Sequence, residues 1–271
     1  MKEYLTHSIN PLAIDWGWLV LPWYWLMYFL GFLWILWSTH HLRKKCEIDL
    51  SAKDLSHYLQ WGWISMFLGA RVVYILFYNL DFFIKNPSYI PKIWLGGMSF
   101  HGALLGVAIS IFIVAKKKAQ NFYLFADPLA VAAPFVLIFG RIANFINGEL
   151  VGRITDVPWA VVFPRFGTSP RHPSQIYEAL TEGLLTFIIL WAFKKKMKTH
   201  PGLLSSLFLI LYGAFRFLVE FYRQPDPQLG TIIAGLSMGQ LMCLVMVMIG
   251  SFLMFLAKGS WITNQNHATQ D

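Results

Sequence analysis

Seven apolar runs joined by short polar connections limit what this chain can fold into. They read approximately as Trp16–Ser38, Leu55–Leu80, Met98–Ala115, Leu124–Ile146, Gln175–Phe193, Leu203–Tyr222 and Ile232–Ala257. Each is long enough, or nearly so, to cross ~30 Å of hydrocarbon as a helix. Backbone polar groups in lipid must bond within the protein, which favours helices for runs of this length. The fold expected is all-α, a polytopic integral membrane protein of about seven transmembrane helices. Composition agrees, with 56% hydrophobic and only 13% charged residues, against roughly a quarter charged in a soluble domain. No long soluble stretch interrupts the runs, so residues 1–271 are expected to form a single transmembrane domain. Twelve Trp and eleven Tyr suit aromatic belts at the two interfaces.

The basic residues set an orientation. Lysine clusters follow alternate runs, at Lys44-Lys45, Lys116-Lys117-Lys118, Lys194-Lys195-Lys196 with Lys198, and Lys258. The positive-inside rule makes those ends cytoplasmic, with the N-terminus outside and the C-terminus inside, and seven spans give the same parity. The net charge of +8 thus reads as topology signals, and no nucleic-acid motif accompanies it. Eleven of the fourteen lysines fall on the inner side, whereas seven of the eight arginines do not. Arg71, Arg141 and Arg216 lie within spans, and Arg153, Arg165, Arg171 and Arg223 in outer segments. Arginine placed against the orientation rule suggests anion binding. Cys46 and Cys243 indicate neither a disulfide framework nor a metal site. The N-terminus lacks the pattern of a cleaved secretory signal, so the first run is expected to be retained.

Polar residues gather toward the outer half of the spans. The densest stretch is Gly140-Arg141-Ile142-Ala143-Asn144-Phe145-Ile146-Asn147-Gly148-Glu149-Leu150-Val151-Gly152. Arg141 and Asn144 share a helix face. A guanidinium grips phosphate or carboxylate bidentately, and amides add orienting hydrogen bonds. Tyr24 lies a third of the way into the first span, His101 at the outer start of the third, and Gln240 in the outer third of the seventh. Tyr212, Arg216, Glu220 and Arg223 follow at helical spacing on one face. Each has a plainer reading: Tyr24 as a belt aromatic, His101 as a satisfied helix-end residue, Arg141 as an interfacial anchor, Arg216 and Glu220 as a simple i,i+4 pair. Arg71 is too deep to reach the surface easily, so a ligand or core partner is expected, with Glu178 and Glu182 as candidates. Asp127-Pro128 reads as a helix start. The outer segment 148–173 carries a β-like run, Trp159 to Phe163, and is expected to form a small external cap or arm. Arg223 to Gly230 reads as an exposed, turn-rich outer loop able to gate, and Asn264 to Asp271 as a frayed tail.

The ordered string from Gly140 to Gly152 resembles the signature of the bacterial prolipoprotein diacylglyceryl transferases. Collinear blocks extend the likeness over nearly the whole chain: Trp23-Tyr24 with Leu26-Met27-Tyr28, Gly96-Gly97-Met98-Ser99-Phe100-His101-Gly102, Arg171-His172-Pro173-Ser174-Gln175, Tyr212-Gly213-Ala214-Phe215-Arg216, and Glu220 to Asp226. Where the family commonly has His-Trp-Tyr-Gly, this chain has Pro22-Trp23-Tyr24-Trp25, so no histidine there can serve as a base.

The resemblance implies a reaction, transfer of the diacylglyceryl group of phosphatidylglycerol to the lipobox cysteine thiol of a prolipoprotein, with glycerol phosphate released. It implies a multi-pass protein of the bacterial cytoplasmic (inner) membrane with its active site toward the outer leaflet. In that chemistry Arg141 and Arg216 are expected to clamp phosphate, His101 to take the thiol proton and Tyr24 to position a reacting group. Asn144, Glu149, Gly152, Tyr212, Glu220, Arg71 and Gln240 are expected to bind or orient the substrate. No cofactor or metal is expected, because arginine supplies the positive charge. The expected partners are phosphatidylglycerol and prolipoprotein signal peptides, and no nucleic acid. The residues alone also suit a carrier or flippase for an anionic lipid, or another lipid-headgroup transferase.

Overall fold

The computed structural model describes residues 3–93, 96–224, 231–233 and 235–268, without the side chains of 231–233 and 259–268. Two compact units make up the chain: Met1–Leu42 with Asp127–Asp271, and Arg43–Ala126.

The chain enters through three short strands, β1 (Leu5–Thr6), β2 (Leu12–Asp15) and β3 (Val20–Pro22), before helix α1 (Trp23–Lys45). The first apolar run was expected to be helical from Trp16. Instead Trp16 and Trp18 sit exposed at the tip of the β2–β3 hairpin. The Asp15 side chain there accepts from the Gly17 N–H at 3.3 Å, and Gly17 has a φ of +77°. Such an Asx turn stops a helix from starting at Trp16.

In the smaller unit, α2 (Ala52–Tyr78) starts at Ser51, whose hydroxyl accepts from the Asp54 N–H at 3.0 Å. A short α3 (Leu80–Lys85) leads to α4 (Phe100–Lys117), which Ser99 caps in the same way. The two long helices run antiparallel, and an ion pair joins Lys118 to Asp54 at one end. They approach closely where a Cβ on Gly106 would lie 2.1 Å from the Ser65 carbonyl oxygen, so a side chain there would force them apart.

The larger unit resumes within α5 (Tyr123–Ile146). This helix starts four residues before Asp127, with the Asn121 side chain accepting from the Tyr123 N–H at 2.9 Å. Asp127 therefore does not start its own helix, as its sequence context suggested. It caps another one, accepting from the N–H groups of Gly202 at 2.8 Å and Ser205 at 2.9 Å. Beyond α5, β4 (Val161–Val162) and β5 (Pro170–Arg171) join β1 in a three-stranded sheet of order β1-β4-β5. Only the middle of the β-like run Trp159 to Phe163 forms strand. Val151, Val161 and Phe163 make a small core in which Phe145 packs.

The fifth run is one helical rod of changing pitch: α6 (Ser174–Glu178), a π-helical turn (Ala179–Leu185), α7 (Thr186–Phe193) and a 3₁₀ turn (Lys194–Met197). Helix α8 (Leu203–Val219) follows. Strands β6 (Thr231–Ile233) and β7 (Leu236–Ser237) precede α9 (Met238–Ala268). The sequence Asn264 to Asp271, expected to fray, is helical as far as Ala268, and 269–271 lie outside the described residues. So do 225–230, which make up most of the loop read as a gate.

Among the described residues five helices are long and apolar enough to cross a membrane: Ala52–Tyr78, Phe100–Lys117, Tyr123–Ile146, Ser174–Met197 and Met238–Lys258. Leu203–Val219 is apolar but shorter. The protein is a mostly helical, polytopic membrane protein. The all-α expectation needs one correction: the described residues also form three small sheets, β2–β3 before α1, β1-β4-β5, and β6–β7 before α9.

Candidate active site

In the larger unit, three arginines meet three glutamates. The Arg141 guanidinium reaches Glu178 Oε2 at 2.7 Å and Glu182 Oε2 at 3.1 Å. Arg216 reaches Glu178 Oε1 at 2.5 Å, Glu182 Oε1 at 3.5 Å and Glu220 Oε2 at 2.6 Å. Arg223 donates to Glu178 Oε1 at 3.3 Å. Helix periodicity brings the ions together. Arg216 and Glu220 are one turn apart on α8, and Glu178 and Glu182 share a face of the fifth rod. Both of those glutamates are fully buried. Buried charges are tolerable only when paired, and here each guanidinium has a carboxyl group against it.

A second polar chain adjoins Arg141 on α5. The buried Asn144 amide donates to Glu149 Oε1 at 2.8 Å and to the Tyr24 hydroxyl at 3.3 Å. Glu149 is presented by a tight turn after α5, in which Gly148 and Leu150 have positive φ. Gln175 Nε2 fixes that turn by donating to the Glu149 carbonyl at 2.6 Å. Tyr24, Met27, Tyr28, Val136, Gly140 and Ala143 line a small, mainly apolar cavity beside this chain.

Gly152 sits where the outer segment threads between two others. A Cβ there would lie 2.5 Å from the His172 carbonyl oxygen and 2.7 Å from that of Tyr222. The Gly152 N–H donates to His172 O at 3.0 Å, and Gly152 bridges to Arg223. Its contribution is room for backbone. Beside it, His172 Nδ1 lies 3.1 Å from the Tyr177 hydroxyl, and burial pushes the imidazole below its usual pKa.

The expected site residues separate into groups. Tyr24, Arg141, Asn144 and Glu149 form one connected group, and Arg216 and Glu220 join Arg141 through the shared glutamates. Tyr212 is buried within electrostatic reach of Arg141, Arg216 and Glu182. Gln240 is one step removed: its Oε1 accepts from the Ser237 N–H at 3.0 Å, and Ser237 Oγ donates to Glu220 Oε1 at 2.9 Å. Arg71 and His101 belong to the smaller unit. The Arg71 guanidinium donates to the carbonyl oxygens of Tyr89, Ile90, Lys92, Gly96 and Gly97, at 2.6 to 3.4 Å. Glu178 and Glu182, expected as its partners, pair with Arg141 and Arg216 instead. His101 is half-buried in the first turn of α4, its ring edge-on to Phe100 at 5.9 Å.

Four participants were missed or misplaced. Arg223, expected in an exposed loop, is 9% exposed and bonded to Glu178. Glu178 and Glu182 were seen as a pair on one face but given the wrong partner. Ser237 was overlooked, although Ser237-Met238-Gly239-Gln240 is a capping-box sequence at the start of an apolar run.

Chemically, the cluster can hold an anion through planar, two-pronged donors, in surroundings that exclude most water. A family model described as prolipoprotein diacylglyceryl transferase matches residues 11–256. A phosphatidylglycerol–prolipoprotein diacylglyceryl transferase of Aeromonas hydrophila is 46% identical over 254 residues, 94% of this chain and 92% of that protein. One of Vibrio atlanticus is 47% identical over 247 residues, covering 91% and 90%. One of Photobacterium profundum is 44% identical over 257 residues, covering 94% and 96%. With the match spanning both units and every helix described above, the chain belongs to the prolipoprotein diacylglyceryl transferase family.

Proposed function

We propose that this protein transfers the diacylglyceryl group of phosphatidylglycerol to the lipobox cysteine thiol of a prolipoprotein and releases glycerol phosphate. The observation that carries the reading is the buried ring of Arg141, Arg216 and Arg223 around Glu178, beside the Tyr24–Asn144–Glu149 chain. In the reaction a sulfur–carbon bond forms at the glyceryl carbon and the carbon–oxygen bond to phosphate breaks. The electron pair goes to the phosphate oxygen, and the thiol proton goes to a base. Fixed guanidiniums stabilise the charge that gathers on the departing phosphate, and one such donor typically contributes ~10²–10³ in rate. Arg141 and Arg216 serve as the clamp. His101 takes the thiol proton. Tyr24, Asn144 and Glu149 orient the glyceryl headgroup, and the cavity by Tyr28 receives apolar substrate. Tyr212, Glu220 and Gln240 hold the clamp in place, Gly152 keeps the outer segment close, and Arg71 shapes the loop before α4.

The remaining features follow from the lysine asymmetry and the apolar runs. The protein lies in the bacterial cytoplasmic membrane with seven spans, N-terminus outside, C-terminus inside, and the site toward the outer leaflet. Residues 1–271 act as one catalytic domain, with 148–173 as a small external arm. The test is to incubate purified protein with phosphatidylglycerol and a lipobox peptide and weigh the peptide. A gain of one diacylglyceryl group supports the reading. An unchanged mass with lipid moved between leaflets identifies a carrier.

A further inference from the structure

The clamp is already occupied. Three guanidiniums face three carboxylates, so the ligand-free cluster is neutral as a set, and every arginine in it has an internal anion. A lipid phosphate entering such a site adds a negative charge where solvent cannot screen it. One carboxylate must then give up its hold.

The three differ in how firmly they are held. Glu178 touches all three arginines, two of them at 2.7 Å and 2.5 Å. Glu220 is fixed by Arg216 at 2.6 Å and by the Ser237 hydroxyl at 2.9 Å. Among the described residues Glu182 has the two longer ion pairs, 3.1 Å to Arg141 and 3.5 Å to Arg216. It also stands within the π-helical turn Ala179–Leu185. There the Thr186 hydroxyl donates to the Thr181 carbonyl at 2.9 Å, and the Thr181 hydroxyl donates to that of Tyr177 at 2.8 Å. A π turn inside an otherwise α-helical rod is rare and recurs at functional sites.

We infer that Glu182 is a displaceable internal anion: it holds Arg141 and Arg216 apart and ready in the empty site and yields them to the substrate phosphate. It is a positioning residue, acting through the two arginines, and the inference rests on the transfer reading above. Its consequence is a trade between binding and release. While Glu182 competes, phosphatidylglycerol binds less tightly, and the glycerol phosphate product, which carries more charge, is expelled as the carboxylate returns.

The test compares wild-type protein with Glu182→Gln and Glu182→Asp, using phosphatidylglycerol, a lipobox peptide and sn-glycerol phosphate as inhibitor. Removing the competing charge should lower the KM for phosphatidylglycerol about tenfold. It should strengthen inhibition by glycerol phosphate by a similar factor and lower kcat through slow product release. Glu182→Asp, whose carboxylate is drawn back by one carbon, should fall between the two. Calorimetric titration with glycerol phosphate should give the same order without turnover. A KM that rises or stays level in both variants, with unchanged glycerol phosphate affinity, overturns the inference and leaves Glu182 as a structural prop. If Glu182→Gln does not accumulate, Glu182→Asp decides alone by the same signs. Failure of the transfer reading is distinguishable, because it leaves the peptide mass unchanged with wild-type protein.

Discussion

Asn144 donates to Glu149 across a five-residue turn at 2.8 Å, and this short bond connects the end of α5 to the outer segment. Converting Asn144→Asp sets two carboxylates against each other in a half-buried site, so transfer should fall about 100-fold, the scale of a lost charge-assisted bond. Adding Glu149→Gln restores an amide–carboxylate pair with the roles exchanged. The double variant should recover at least about tenfold of the loss. Peptide mass gain at fixed protein level reads both. A double variant no better than Asn144→Asp would mean that Glu149 must itself be charged.

Arg141 divides its two terminal nitrogens between Glu178 and Glu182. A lysine keeps the charge but offers one point of contact, so Arg141→Lys should lower kcat/KM by ~10²–10³. Arg223→Lys should be milder, about tenfold, because Arg223 stands farther from Glu178, at 3.3 Å, than Arg141 and Arg216 do and the cluster keeps those two guanidiniums. Equal rates for Arg141→Lys and wild type would reduce Arg141 to an interfacial anchor.

Asp127 joins two helices far apart in sequence. Its carboxylate accepts from Gly202 N, Ser205 N and Ser205 Oγ, and it is 1% exposed. Asp127→Ala leaves the first N–H groups of α8 without these partners, at a cost of about 1–2 kcal/mol. The midpoint of thermal unfolding in detergent should drop by several degrees, while the KM for phosphatidylglycerol stays the same. A changed KM with an unchanged midpoint would show that the cap shapes the site directly.

These residues show how far the sequence could be read. Helices α2, α4 and α5 start and end within a few residues of their apolar runs, because in lipid length and hydropathy alone demand a helix. Asn144 and Glu149 were legible because they stand five residues apart and bond each other, and Arg141 because a guanidinium inside an apolar run demands a partner. Arg216 and Glu220 were legible because a turn of helix separates them. Asp127 was not, because its partners lie about 75 residues away and its Asp-Pro setting imitates a local cap. Glu178 and Glu182 showed their shared face but not their partner, since periodicity fixes direction from an axis and not which helix stands opposite. The hairpin at Trp16–Trp18 was hidden by its hydropathy, because tryptophan looks alike in a span and at an interface.

Orientation is tested by impermeant thiol labelling of single cysteines in intact cells. Position 159, exposed in the 148–173 segment, should label, whereas exposed position 117, at the lysine-rich end of α4, should label only after permeabilisation. The reverse pattern would invert the protein and put the arginine cluster on the cytoplasmic side.

The thiol proton is the remaining step. A lipobox thiol with a pKa near ~8.5 is mostly protonated at neutral pH, and only the thiolate attacks carbon well. Among the histidines, His40, His41, His57 and His200 fall on the inner side by the lysine rule. His7 lies near the N-terminus and stacks on Phe163 at 5.3 Å, and His267 lies near the C-terminus. His172 is engaged with Tyr177 through its Nδ1, and burial lowers its pKa. His101 remains, in the first turn of α4, and an imidazole is the side chain best suited to general-base work near neutral pH. His101→Gln keeps size and polarity but cannot accept the proton, so it should lower transfer at pH 7 by ~10²–10⁴ while phosphatidylglycerol still binds. Raising the pH toward 9 supplies thiolate without a base, and the variant should then regain part of its rate while the wild type gains little. Near-normal transfer by His101→Gln at pH 7 would remove the imidazole from the chemistry. The guanidinium field of Arg141 and Arg216 would then be what lowers the pKa of the thiol.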